Sequence, residues 1–173
     1  MRYNVAQLLK ELTGISRHYV VDETIASPEP EWGDILPVQG PVDMVRTSRG
    51  ILVTAHLQAK VQDTCARCLE PATELVDVDF EEEYFPMIDI ETGAPLHLPA
   101  DSDGFTIDRQ HQLDLTEALR QGVLMARGLT PLCRPDCKGL CPECGNNLNN
   151  GPCSCAGAPG DPRWGALKRR RSA

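Results

Sequence analysis

The chain has 173 residues, among them 17 Lys or Arg, 25 Asp or Glu and 8 Cys, and its formal net charge is −8 at pH 7. This length accommodates one ordinary domain, or one domain with a small metal-stabilised appendage. The first ten residues lack the apolar core of an export signal, and no segment approaches the roughly 18 apolar residues of a membrane span. We therefore expect a cytoplasmic protein whose thiols bind metal more readily than they form disulfides.

Apolar residues at helical spacing predict a short opening helix with Asn4 as its N-cap. Its buried face is expected to contain Val5, Leu8, Leu9 and Leu12. Two strands are predicted next, over residues 18–22 and 38–44, with a Pro-rich loop between them that includes Pro37.

The clearest strand pattern covers residues 51–62, where apolar and mostly polar side chains alternate with period two. A second alternating run follows at residues 76–81, after Cys65 and Cys68. We expect these two strands to pair antiparallel, with the two cysteines in their connection.

Residues 86–109 are acidic and interrupted by Pro and Gly, which predicts a loop. Asp114 and Glu117 then have the spacing of a capping box at the start of a helix. The inner face of that helix would include Leu115, Leu119 and Val123. Asp161 followed by Pro162 predicts another helix start near the end of the chain.

These elements predict an α+β fold in two parts. Residues 1–130 would form an antiparallel β-rich body with flanking helices. Residues 131–173 would form a small cysteine-rich zinc-knuckle module with a basic tail. Charge follows the same division, because residues 1–132 hold 10 Lys or Arg against 22 Asp or Glu, whereas residues 133–173 hold 7 against 3.

Cysteine spacing is the strongest chemical signal in the sequence. The cysteines form four pairs, named here after their first members: Cys65 and Cys68, Cys133 and Cys137, Cys141 and Cys144, and Cys153 and Cys155. Two thiolates separated by two residues can bind one tetrahedral metal if the loop turns tightly, which Pro142 and Gly145 favour in the Cys141 pair.

Eight thiols suffice for one or two structural zinc ions, with four thiolates per site and no position open for water or substrate. We prefer a partition in which the Cys141 pair joins the Cys153 pair and the Cys65 pair joins the Cys133 pair. A split ribbon that joins the Cys65 pair to the Cys141 pair is the alternative. Catalytic or redox thiols are the alternative to a metal site.

The cysteine motifs resemble those of the YceD family, whose members are bacterial and plastid proteins associated with accumulation of large-subunit ribosomal RNA. The resemblance extends over nearly the whole chain. Its motifs are Cys65-Ala-Arg-Cys68-Leu69-Glu70-Pro71, Cys137 to Asn149 including Cys141-Pro-Glu-Cys144-Gly145, the Cys153 pair, and Asp161-Pro162-Arg163 with Leu167.

This resemblance implies a role in making or maintaining the large ribosomal subunit. Its partner would be large-subunit rRNA, a precursor particle, or a ribosomal protein, for which a small zinc-ribbon ribosomal protein is a candidate. An acidic body disfavours a broad phosphate-binding face, because nucleic-acid affinity depends on clustered Lys and Arg. The candidate contacts with RNA or a partner are Arg67, Lys138, Arg163, Trp164, Lys168, Arg169, Arg170 and Arg171.

The basic run and Arg67 also have simpler interpretations. The basic run at residues 168–171 is typical of a solubilising chain end as well as of phosphate contacts. Arg67 could bind a phosphate or form a salt bridge with a neighbouring carboxylate, and Trp164 could supply a stacking surface.

No catalytic constellation is evident in the sequence. The histidines are scattered, no Gly-rich phosphate loop follows a strand, and we expect neither enzymatic activity nor a small-molecule substrate. The leading interpretation is a non-catalytic ribosome-assembly factor with structural zinc. One alternative is an acidic chaperone of a basic ribosomal protein that does not contact RNA, and another is a thiol redox or metal-handling protein.

Overall fold

Long β-strands dominate the structure, a computed structural model that describes residues 1–29, 32–97 and 104–155. Among these residues the elements are β1 (Arg2–Asn4), α1 (Ala6–Lys10), β2 (Ser16–Ala26), β3 (Ile35–Arg46), β4 (Ile51–Thr64), β5 (Pro71–Pro86), β6 (Thr106–Ile107), β7 (Gln112–Asp114) and α2 (Thr116–Ala126). The described fold is therefore mostly β. Of the predicted α+β fold, the antiparallel β-rich part is supported and the helical part is small.

The described strands form one sheet in the order β1-β7-β6-β5-β4-β3-β2. Strands β2 and β3 pair antiparallel along their whole lengths, from Ser16 opposite Val45 to Ala26 opposite Ile35. Strands β3 and β4 are also antiparallel, whereas β5 and β6 are parallel. Strands β4 and β5 are neighbours, and the connection at residues 65–70 is too short for a parallel crossover. The predicted pairing around the Cys65 pair is confirmed.

The core packs against one face of the sheet, and alternate residues of the long strands point into it. In β4 this face is formed by fully buried apolar side chains: Ile51, Val53, Ala55, Leu57, Ala59 and Val61. Leu8 of α1 and Leu119 of α2 cover it, and both are at most 1% exposed. Burial of one such leucine contributes about 2 kcal/mol relative to an exposed one. The predicted inner face of α2 is confirmed, since Leu115, Leu119 and Val123 are all buried.

The start of α2 realises only part of the predicted capping box. The carboxylate of Asp114 accepts hydrogen bonds from the amide and hydroxyl of Thr116, at 2.9 and 2.6 Å. Leu115 occupies the N-cap position itself. The carboxylate of Glu117 instead accepts hydrogen bonds from Arg120 and Gln121, farther along the helix.

Several boundary predictions were wrong. Helix α1 ends at Lys10, so Leu12 lies beyond it and is 82% exposed. Pro37, predicted in a loop, lies within β3 opposite Thr24. The predicted loop at 86–109 contains β6 near its end, and residues 98–103 are outside the described range. The helix predicted from Asp161 lies outside the described residues and stays a prediction.

The chain divides into two compact units. The sheet unit comprises Met1–Asp63 and Thr73–Leu129, and the cysteine unit comprises Thr64–Ala72 and the chain from Thr130 onward. The sequence predicted a single boundary, after residue 130. The further piece that joins the cysteine unit is the tip of the β4–β5 hairpin, which contains the Cys65 pair. Within the described ranges, no helix is both long enough and apolar enough to pass through a lipid bilayer.

Candidate metal centres

The eight cysteines gather into two groups of four, both within the cysteine unit. Site 1 contains the Cys65 pair and the Cys133 pair, and site 2 contains the Cys141 pair and the Cys153 pair. Within each group the sulfur atoms lie within 4.8 Å of one another, and all eight cysteines are free thiols. This grouping agrees with the preferred partition of the sequence analysis and not with the split ribbon.

Sulfur separations in site 1 fit a tetrahedral metal ion. Metal–sulfur bonds of about 2.3 Å place tetrahedral ligand sulfurs about 3.8 Å apart. The Sγ atoms of Cys65 and Cys137 are 3.8 Å apart, and those of Cys68 and Cys133 are 3.5 Å apart. A disulfide would require about 2.05 Å. The donor set and its spacing are therefore those of a closed four-thiolate site.

A tight turn at the tip of the β4–β5 hairpin presents the Cys65 pair. The amide of Leu69 donates to the carbonyl of Cys65 at 3.0 Å, and Leu69 adopts a φ of 60° to close the turn. The amide of Ala66 donates to the carbonyl of Pro131 at 2.8 Å, which ties the hairpin tip to the segment that carries the Cys133 pair. A small apolar cluster supports site 1: Cys65, Cys68, Ala72 and Cys137, with Leu132 and Leu140 packed against them.

Site 2 begins with a second tight turn. The amide of Gly145 donates to the carbonyl of Cys141 at 2.9 Å, and the amide of Cys141 donates to the carbonyl of Asn146 at 2.8 Å. Gly145 has a φ of 70°, as its predicted role in the turn requires. The turn directs the thiols of Cys141 and Cys144 toward the Cys153 pair.

In each site, hydrogen bonds from backbone amides stabilise the thiolate form of one cysteine. The amide of Cys133 is the main cause that lowers the pKa of Cys65 to about 6, and the amide of Cys144 is the main cause that lowers the pKa of Cys141 to about 7. Burial, together with the neighbouring thiols, raises the pKa of Cys133 to about 12. Four thiols crowded together resist full ionisation, so a cation that binds them must displace protons.

Asn149 contacts a candidate metal ligand and was not among the site residues predicted from the sequence. Its side-chain amide donates to the sulfur of Cys137 at 3.3 Å, and this hydrogen bond is the main cause that lowers the Cys137 pKa. Its side-chain oxygen accepts the amide hydrogen of Lys138 at 2.8 Å. Sequence spacing gave no signal for this contact, because Cys137 precedes the Cys141 turn and lies 12 residues before Asn149.

The predicted RNA-contact residues lie in two parts of the chain. Arg67 is exposed, and its guanidinium donates to the carbonyl of Cys137 at 2.9 Å. Lys138, which follows Cys137 directly, is also exposed. Both belong to the cysteine unit and flank site 1. Arg163, Trp164 and the basic run at 168–171 lie outside the described residues.

The three consecutive glutamates at residues 81–83 lie within β5, where successive side chains point to opposite faces of the sheet. Glu83 accepts hydrogen bonds from Thr47 and Arg49 at 2.7 and 2.6 Å, so its charge is locally balanced. Glu81 is exposed, as are Asp77 and Asp79, which precede it at alternate positions on the outer face of the sheet.

The family model described as large ribosomal RNA subunit accumulation protein YceD matches residues 53–169. An uncharacterised protein of Mycobacterium tuberculosis is 36% identical over 126 residues, which cover 69% of this chain and 55% of that protein.

Two plant proteins are also similar, each named large ribosomal RNA subunit accumulation protein YCED homolog 1, chloroplastic. The Zea mays protein is 29% identical, and the match covers 78% of this chain and 52% of that protein. The Arabidopsis thaliana protein is 27% identical, with 82% and 50% covered. The chain thus spans about half the length of the curated relatives it matches. No solved structure matches it significantly.

Proposed function

This chain belongs to the YceD family of large ribosomal RNA subunit accumulation proteins, and from that premise we propose that it is a non-catalytic factor that supports accumulation and assembly of large-subunit rRNA. The observation that carries the proposal is the family match over residues 53–169, which includes all eight cysteines and the hairpin that presents the first two. Such a factor would act where ribosomes are assembled, which in a bacterium is the cytoplasm.

In this proposal, sites 1 and 2 each hold one structural zinc ion. Zinc is favoured because it accepts four thiolates in a closed tetrahedron. The cysteine unit has few large apolar side chains beyond Leu132 and Leu140, so metal binding would supply much of its order. The ions would fix the shape of the unit and would not take part in chemistry.

The contact surface proposed for rRNA or a precursor particle lies on the cysteine unit. Arg67 and Lys138 are exposed beside site 1, and a hydrogen bond to Cys137 holds the Arg67 side chain in a defined place. Phosphate contacts of this kind position a protein on RNA without reading its sequence. Arg163, Trp164 and residues 168–171 remain proposed contacts from the sequence.

The test is depletion of the protein followed by rescue with plasmid-borne variants in the same cells. We expect depletion to lower the ratio of large-subunit to small-subunit rRNA and the wild-type chain to restore it. Cys141→Ser with Cys144→Ser should restore it poorly, whereas a control that leaves the thiols intact, Asn150→Ala, should restore it fully. An unchanged rRNA ratio after depletion would refute the proposed function.

A second candidate function is supported by the outer face of the sheet unit. Asp77, Asp79 and Glu81 are exposed at alternate positions of β5. Asp79 also accepts a hydrogen bond from His56 at 2.8 Å, and Asp77 accepts one from Gln58 at 3.0 Å, so both carboxylates are held in place. This acidic face suits a basic, unassembled ribosomal protein by charge complementarity. A pulldown with and without ribonuclease separates this function from RNA binding.

A further inference from the structure

We propose that Asn149 couples the two cysteine sites, so that metal bound at site 2 strengthens metal binding at site 1. The inference rests on the proposed metal at both sites and adds a relationship between them. Its basis is a side chain that belongs to the loop of one site and contacts a ligand sulfur of the other.

Asn149 lies between the two ligand pairs of site 2. The loop at residues 145–152 begins directly after Cys144 and ends directly before Cys153, so a metal at site 2 fixes both of its ends. The side-chain amide of Asn149, near the middle of this loop, lies 3.3 Å from the sulfur of Cys137, which is a member of site 1.

Hydrogen bonding determines which side-chain atom of Asn149 faces the sulfur. The amide of Lys138 can only donate, so the atom 2.8 Å from it must be the Asn149 oxygen. The nitrogen then points toward Cys137 and also donates to the side-chain oxygen of Asn147 at 2.8 Å. Hydrogen bonds to Lys138 and Asn147 therefore hold the Asn149 side chain so that its N–H group points at the sulfur of Cys137.

A donor at this position favours a metal-bound thiolate. A four-thiolate zinc site carries a formal charge of −2, which N–H donors around the sulfurs partly offset. Loss of a hydrogen-bond partner behind a metal ligand typically weakens metal affinity 10- to 100-fold.

Metal at site 2 would prepare this donor for site 1. When site 2 is empty, no metal ties the ends of the 145–152 loop together. Metal binding at site 1 must then also supply the free energy that orders Asn149, which lowers the affinity of site 1. When site 2 is filled, that ordering has already taken place. Linkage then requires the reverse effect as well, so metal at site 1 strengthens site 2 by the same factor.

The experiment measures zinc occupancy of each site separately in the full chain. Protein is equilibrated with zinc at buffered free concentrations and pulsed with iodoacetamide, and peptide mass spectrometry reports which cysteines are protected. Four proteins form a cycle: wild type, Asn149→Asp, a site 2 knockout with Cys141→Ser and Cys144→Ser, and the combination. Asn149→Asp keeps an acceptor for Lys138 but removes the donor to Cys137. Asn150→Ala is the control, because Asn150 follows Asn149 in the same loop and is exposed.

In the wild type we expect the site 2 knockout to raise the zinc concentration that half-protects site 1 by 10- to 100-fold. Asn149→Asp should have a similar effect with site 2 intact, and the knockout should add little to it. Asn150→Ala should match the wild type. The coupling is overturned if Asn149→Asp leaves site 1 unchanged, or if the knockout weakens site 1 equally with Asn149 and with Asp at this position. Absence of zinc-dependent protection at every cysteine would instead refute the proposed metal sites.

Discussion

The guanidinium of Arg127 lies 4.8 Å from the centre of the Trp32 ring, at the end of α2. Trp32 is only 2% exposed, and the same guanidinium forms an ion pair with Asp63, whose side chain is 9% exposed. One cation thus holds the segment before β3, the end of β4 and the end of α2 together within the sheet unit. This cross-link was not apparent from the sequence.

Replacement of Arg127 by Ala should destabilise the sheet unit by about 2 kcal/mol, because it removes a largely buried ion pair with Asp63 and the cation–π contact with Trp32. Urea denaturation followed by Trp fluorescence measures the change. Arg120→Ala is the matched control, since the Arg120 pair with Glu117 is largely exposed and should contribute well under 1 kcal/mol. Equal effects of the two substitutions would contradict the cross-link.

Asp114 should make stability depend on pH in the acid range. Partial burial opposes its ionisation, but hydrogen bonds from Thr116 and Arg2 outweigh this and lower its pKa to about 2. Because the folded pKa is below the ordinary value of 3.8, the stabilisation is present above about pH 4 and is lost as pH falls toward 2. Asp114→Asn should therefore lower stability at pH 6, and its difference from the wild type should shrink by pH 2. A difference that is constant across this range would show that charge at Asp114 is not responsible.

Gly139 and Gly145 provide a matched test of the turn at site 1. Both have positive φ, 75° and 70°, so alanine introduces similar backbone strain at each. A Cβ at Gly139 would also lie 3.0 Å from the carbonyl oxygen of Arg67, whereas a Cβ at Gly145 meets nothing within 4 Å. Gly139→Ala should weaken zinc protection of site 1 several-fold more than Gly145→Ala weakens that of site 2. Similar effects would mean that backbone strain, and not the close contact with Arg67, accounts for the loss of zinc protection.

Cys144→Ser should loosen the cysteine unit and leave the sheet unit folded. Structural zinc contributes on the order of 10 kcal/mol to the order of small domains at neutral pH, and the sheet unit has its own apolar core. Hydrogen exchange should show faster amide exchange in residues 133–155 and unchanged protection in β4. At saturating zinc, the zinc content should fall by one ion per chain. Equal protection of 133–155 in the mutant would point to another source of order.

Charge-reversal and deletion variants discriminate between the two proposed functions. If the basic tail contacts RNA phosphates, removal of residues 168–171 should weaken association with ribosomal precursors and reduce its salt dependence by about 0.7 to 0.9 in log–log slope per lost contact. If the acidic face of β5 binds a basic protein, association should instead fail when Asp77, Asp79 and Glu81 become Lys. Sedimentation with ribosomal precursors measures the first association, and a pulldown of ribosomal proteins after ribonuclease treatment measures the second. Binding that survives both changes would exclude each electrostatic account.

Sequence periodicity predicted those parts of the fold in which one face of an element is buried. Strand β4 alternates over residues 51–62, most of its length, and the inner face of α2 has helical spacing, so both were recognised. Strands β6 and β7 have two and three residues, which is too short for a period to appear. Leu12 misled the helix prediction because it continues the apolar spacing of α1 beyond the residue at which the chain turns away.

The grouping of thiols was predictable because ligand pairs close in sequence tend to share a metal. The local partner of the Cys141 pair was therefore the Cys153 pair, and the remaining four cysteines formed the other group. Asn149 was missed for a different reason. Its role depends on a hydrogen bond across a turn, and the sequence by itself does not show which side chains face a sulfur.

Site 1 joins parts of the chain that are far apart in sequence, since Cys65 and Cys137 are separated by 72 residues. A metal at this site would close a large loop, much as a disulfide does, and would reduce the conformational entropy of the unfolded chain. For a loop of this length the expected contribution is about 4 kcal/mol. The loop encloses β5, β6, β7 and α2. Loss of this metal would therefore lower the free energy of unfolding of the sheet strands. The rate at which proteases cleave the chain would then depend on the zinc concentration.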